Sequence, residues 1–96
     1  MFLILLTYKK PLSEIDKLIP AHMAWVAEHY ATGEFLLSGR KEPRAGGVIL
    51  ANTRSRSRAE EIAHSDPFVR HDAANCEIVE FIASTAAPAL AHLKQL

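Results

Sequence analysis

Phe2-Leu3-Ile4-Leu5-Leu6-Thr7-Tyr8, closed by Lys9-Lys10-Pro11, is the stretch on which the fold turns. A short run of large and β-branched residues, stopped by two lysines and a proline, suits a fully buried strand. Working outward, Ser13-Glu14-Ile15-Asp16 offers a helix N-cap with acids in the first turn. Apolar residues then recur at helical spacing through Tyr30. Pro20 falls inside that pattern and reads as position N1 of the main helix, while Gly33 supplies the residue that ends it. Glu34 to Gly39 reads as a second strand and Val48 to Ala51 as a third, joined by the polar Arg40 to Gly47 connection into an antiparallel hairpin. Ser57-Arg58-Ala59-Glu60 has capping-box spacing and opens a second helix reaching about Ser65. Asp66-Pro67-Phe68 stops it, because the residue before a proline avoids the helical region. A turn with a short helical piece follows, and Cys76 to Ile82 is the last strand.

The order strand, helix, strand, strand, helix, strand is the split βαβ of a ferredoxin-like α+β fold. Both helices lie on one face of the antiparallel sheet, which leaves the other face bare. An exposed apolar sheet face needs a cover, so a homodimer packed sheet against sheet is expected. The segment from Ala86 to Leu96 reads as a C-terminal helical tail, with Leu90 and Leu93 as a docking stripe. It is too short to hold a helix by itself. The chain therefore reads as one domain over residues 1–96, with a core of about 1–83 and a tail of 84–96.

Eleven basic and eleven acidic side chains cancel. That balance argues against a nucleic-acid partner, although Arg40, Arg44, Arg54, Arg56 and Arg58 can form a local anion site. No stretch approaches a membrane span, and the opening apolar run lacks the basic flank and cleavage site of a signal peptide. A cytoplasmic location is expected. The single Cys76 excludes an intrachain disulfide and a cysteine-based metal cluster, and reads as a strand thiol.

His22 is the odd residue of the first helix. Ile19, Met23, Val26 and Tyr30 define an apolar face, and at roughly 100° per residue His22 falls within about 40° of Val26. A histidine partly withdrawn from water needs a hydrogen-bond partner. Asp66, at the end of the second helix, is placed to accept from one ring nitrogen, fixing the tautomer and leaving the other nitrogen to take a proton. The plainer reading of Asp66 is a residue that terminates a helix. His64 and His71 flank Asp66, but no His-x-x-x-His spacing supports zinc, and His29 lies two turns from His22, about 10 Å away. No metal and no cofactor are expected, since phosphate loops, flavin motifs and nucleophile elbows are missing. Trp25 and Phe68 are expected to pack around the cleft, with Tyr8 at its lining.

The opening strand, Pro20-Ala21-His22, Phe35-Leu36-Leu37-Ser38-Gly39, Gly46-Gly47-Val48-Ile49 and Asp66-Pro67-Phe68 together resemble the YciI-like (YCII-related) family, over nearly the whole length up to Phe81. The resemblance implies a dimeric α/β barrel of ferredoxin-like halves, with a cleft holding His22 and Asp66 as a His-Asp pair. Family members with an assigned activity resemble acid/base enzymes on small cyclic substrates, including a dehydrochlorinase of chlorinated hydroxyquinols. Many members follow Ser-Gly with proline, where this chain has Arg40. That change offers a cation for an anionic substrate, although the plainer reading of Arg40 is a solvated hairpin arginine; Ser38, Gly39 and Phe68 are expected as further substrate-binding residues.

Two functions follow from these readings. One is a small cofactor-free enzyme of lyase or isomerase type, in which a His22–Asp66 general acid/base dyad moves a proton on a small, oxygenated, cyclic substrate. The alternative is a non-catalytic dimeric module that binds a metabolite, favoured by the thin polar inventory and the absence of an evident oxyanion donor.

Overall fold

Residues alternate along β1 (Phe2–Tyr8) so that Phe2, Ile4 and Leu6 are buried beneath the helices, while Leu3 and Leu5 face the opposite side, half-buried. The computed structural model describes residues 1–96. β1 is central, with antiparallel partners on both flanks. It pairs with β3 (Gly46–Ala51) from Phe2↔Ala51 to Thr7↔Gly46, and with β4 (Ala74–Glu80) from Phe2↔Glu80 to Tyr8↔Ala74. β2 (Phe35–Arg40) pairs outside β3, giving the sheet order β2-β3-β1-β4. With α1 (Leu12–Ala31) after β1 and α2 (Arg56–His64) after β3, this is a ferredoxin-like α+β arrangement.

α1 departs from its expected start and its expected face. It begins at Leu12 behind Pro11, whose extended backbone takes the N-cap position, so Ser13 lies inside the first turn. Pro20 sits in the middle of the helix rather than at N1. An interior proline costs about 3 kcal/mol through its missing N–H and ring clash. Burial of Ile15, Trp25 and Val26 from the same helix outweighs that, at about 1.5–3 kcal/mol per large apolar side chain. The buried stripe is Ile15, Trp25, Val26 and His29, with His22 half-buried beside it, whereas Met23 and Tyr30 of the expected face are 53% and 40% exposed. The packed face is thus turned toward His22. At the other end the expectation holds: Gly33 adopts φ +84° and its N–H reaches the Tyr30 carbonyl at 3.1 Å.

α2 is capped by Ser55, whose hydroxyl accepts from the Arg58 N–H at 3.1 Å, so Ser57 of the expected box lies within the helix. Ser55 wins because its backbone is extended, the geometry an N-cap requires. α3 (Pro67–Arg70) is one turn with Asp66 as its N-cap and Pro67 at its start. β4 begins two residues before Cys76 and ends at Glu80.

The tail is a 3-10 segment, Pro88–Leu93, with no buried residue, and Leu90 is half exposed. A leucine stripe does not dock it. Gln95 does: its N–H reaches the Ala83 carbonyl at 2.8 Å, and its side-chain oxygen accepts from the Ala83 N–H at 2.9 Å and from the Met1 ammonium at 3.3 Å. The sheet face away from the helices is open, with Leu37 the most exposed of its large apolar residues at 69%. No helix is long and apolar enough to cross a membrane.

Candidate active site

The two residues singled out in the sequence meet. His22 Nδ1 lies 2.8 Å from Asp66 Oδ1, across 44 residues of chain. Asp66 has no exposed surface, and the His22 side chain keeps 15% of its own. Local structure fixes the carboxylate: as N-cap of α3 its Oδ1 also accepts the Phe68 N–H at 3.0 Å. Its other oxygen, Oδ2, is buried without a partner. An ionised carboxylate only accepts, so the neutral imidazole carries its proton on Nδ1 and leaves Nε2 as a base. An imidazolium formed there would be paired with a carboxylate that water does not screen.

Packing holds the ring as firmly as the hydrogen bond does. Phe68 stacks on His22 with centroids 4.1 Å apart and planes 17° from parallel. The Trp25 ring lies 5.5 Å from that of His22, tilted by 35°, and donates its indole N–H to Ser65 Oγ at 2.8 Å, one residue before Asp66. The aspartate and both aromatic neighbours therefore belong to one connected unit.

His22 opens onto a cavity of about 460 Å³ between α1 and the β2-β3-β1 part of the sheet. Ser38, Gly39, Arg40 and Phe68 line it. Ser38 is engaged, with its Oγ 2.6 Å from the Tyr30 hydroxyl. The Arg40 side chain makes no hydrogen bond or ion pair with the protein, whereas Arg44 is held by Asp16 of α1. That hydrogen bond, with help from nearby Tyr8, raises the Arg44 pKa further above its usual value. Tyr8 lines the cavity too, edge-on to Phe68 at 5.6 Å. Arg44 and Asp16 were not picked out for this cavity by sequence reasoning. For Tyr8 a signal existed, since strand alternation puts it on the same face as Leu6; the Asp16–Arg44 contact spans 28 residues and left none.

Other histidines stay apart from this pair. His64 sits with Nδ1 2.8 Å from the Glu60 carbonyl and Nε2 3.9 Å from the half-buried Cys76 thiol. Burial and the Asp66 charge push that thiol's pKa up, which leaves it protonated. His71 closes α3 at the surface, and no three His, Cys, Asp or Glu side chains gather as a metal-binding group. His29 is buried near Glu34, 3.6 Å from Nδ1 to Oε1, and Arg58 grips Glu34 through two nitrogens at 2.9 and 3.0 Å. That guanidinium holds the Glu34 carboxyl down to about 2.

Comparison with known proteins adds a family and a fold. The YCII-related domain matches residues 1–82. No curated protein matches the chain. Among solved structures, the 5-chloro-2-hydroxyhydroquinone dehydrochlorinase of Burkholderia phenoliruptrix, in complex with 2,5-dihydroxybenzoquinone, superposes with a TM-score of 0.70 at 14% identity. The match covers 84% of this chain and 93% of that one.

Proposed function

Because this chain belongs to the YCII-related family, we propose that it is a small acid/base enzyme in which His22, oriented by Asp66, moves a proton on a small oxygenated substrate held in the cavity. One observation carries this: His22 spends Nδ1 on the buried Asp66 at 2.8 Å while its ring borders a cavity large enough for a small cyclic molecule. A histidine serving only the core has no need of an adjoining open volume. Asp66 sets the tautomer and balances the charge that His22 gains. Phe68 forms the apolar floor beside the reacting nitrogen, and Ser38, Gly39 and the unpaired Arg40 bind the substrate near the cavity mouth. The fold relative that acts on a chlorinated hydroxyhydroquinone supports proton transfer coupled to elimination on an oxygenated ring as the reaction class. The mechanism calls for no metal or cofactor.

The open sheet face, carrying Leu37, Val48 and Val79, supports a homodimer as the working form.

A panel of cyclic ketones, halogenated hydroquinones and small enolisable acids, followed by ultraviolet absorbance, tests the assignment. His22→Ala should lower turnover by about 10²–10⁴-fold, the usual contribution of a general base. Asp66→Ala should fall in the same direction. Full turnover in both variants would remove the dyad from the mechanism.

A further inference from the structure

Proton abstraction leaves an electron pair that needs a home, and the dyad offers none. The cavity wall beyond Phe68 does. Phe68 has His22 stacked on one side and Tyr8 edge-on to it, so the imidazole and the phenol border the same volume. The Tyr8 N–H also bonds the Ala45 carbonyl at 2.9 Å, which fixes the strand end beside Arg44. Arg44 reaches across to Asp16 on α1, and that contact occupies its Nη2. A guanidinium has five donor hydrogens, so N–H groups remain for a ligand. Among the charged residues that line this cavity, Arg40 and Arg44 face only Asp16, while the buried Asp66 stands behind His22.

We propose that Tyr8 and Arg44 form an oxyanion seat opposite His22, and that the substrate is a carbonyl compound or conjugated phenol that becomes an enolate or phenolate during the reaction. The inference rests on His22 being the base. In the step, the substrate C–H or O–H bond breaks and its proton goes to His22 Nε2. The electron pair moves onto the conjugated oxygen, where the Tyr8 O–H and an Arg44 N–H donate to it. Returning the proton to another atom of the conjugated system completes an isomerisation; in an elimination the leaving group departs as an anion with its bonding pair, and His22 Nε2 then releases its proton to water. Asp16 acts as a positioning residue by fixing the guanidinium plane. Donors set in advance where charge develops stabilise it without reorganisation at the moment of reaction.

The probe is 4-nitrophenol, whose neutral and ionised forms are distinguished by their absorption spectra. Titrated against the whole protein on both sides of the phenol's pKa, the phenolate should bind about tenfold or more tightly than the phenol, as charge-assisted hydrogen bonds favour the anion. Arg44→Gln should abolish that preference, Tyr8→Phe should reduce it several-fold, and Asp16→Asn should weaken it with little change to the fold. Arg40→Gln should change it less than Arg44→Gln. His22→Gln should retain it, so a failure of the dyad reading and a failure of this one are separable: the first is read from turnover, the second from phenolate binding. Trp25 fluorescence verifies that each variant is folded. Equal binding of both forms, binding of neither, no effect of Tyr8→Phe or Arg44→Gln, or a larger loss in Arg40→Gln than in Arg44→Gln would each overturn the proposal.

Discussion

Asp66→Ala should cost more than its single lost side chain suggests. In the folded protein Asp66 Oδ1 serves two donors, the Phe68 N–H at 3.0 Å and His22 Nδ1 at 2.8 Å. Phe68 is 2% exposed, so its N–H would be left without water or partner, at about 1–3 kcal/mol. The His22 side chain keeps 15% exposure and recovers part of its loss from solvent, leaving about 1 kcal/mol. Against these stands a gain of about 1 kcal/mol, because a buried carboxylate with an unpartnered oxygen no longer has to be desolvated. The balance is a destabilisation of about 1–3 kcal/mol, which lowers Tm by about 4–24 °C for a domain of this size. Asp66→Asn keeps an acceptor and is itself a good N-cap, so it should cost about 1 kcal/mol or less. The assay is urea unfolding at pH 7 followed through Trp25, the only tryptophan of the chain, which hydrogen-bonds the residue preceding Asp66. If alanine costs under about 0.5 kcal/mol, or asparagine costs as much as alanine, the two hydrogen bonds are not what Asp66 contributes.

Three further outcomes are expected. Glu34, held from its usual 4.5 down to about 2 by Arg58, binds fewer protons when folded than when unfolded. Its contribution is therefore present above pH 4.5 and is lost as pH falls toward 2. In Glu34→Gln the urea midpoint should fall less steeply across that window, and an unchanged slope would contradict it. A Cβ on Gly46 would stand 1.8 Å from the Leu6 carbonyl oxygen and 2.7 Å from its carbon, both backbone atoms of the central strand. Gly46→Ala should thus cost about 3 kcal/mol or more, whereas Gly39→Ala, with nothing within 4 Å, should leave Tm unchanged in the same thermal melt. Leu37→Asp, on the open sheet face, should shift the particle to monomer mass in sedimentation at equal concentration if the proposed dimer uses that face; an unaltered mass would place the interface elsewhere.

The strand order, the hairpin and the helix ends at Gly33 and Asp66 are legible because each depends on local chemistry: alternation, a glycine with positive φ, a carboxylate before a proline. The His22–Asp66 contact was reachable only because the fold sets the two helices side by side. What stayed hidden depended on competition. Pro20 remains in a helix because the buried residues on either side of it outweigh its penalty, a comparison that local propensity cannot make. Met23 and Tyr30 looked like core at helical spacing, yet the helix packs on the sheet through Trp25 and Val26 and meets the α3 end of the molecule through Ile15 and His22. Ser55 displaced Ser57 as cap through backbone conformation, which both serines could have adopted. Arg44 found Asp16 only once the β2–β3 connection had folded over α1.

The central position of β1 carries a consequence for how the molecule comes into being. Phe2 pairs with Glu80, so the first strand made is completed by the last. Contacts of such sequence separation slow folding, since the chain must close its longest loop before the pairing rewards it. During synthesis from the N-terminus, β1 can join the β2–β3 hairpin long before β4 leaves the ribosome, and until then one edge of the hydrophobic centre stays unpaired. Asp66 too is made well after His22. Assembly of the His22–Asp66 pair is thereby tied to near-completion of the chain, and β1 with its open edge is the segment for which a chaperone would compete.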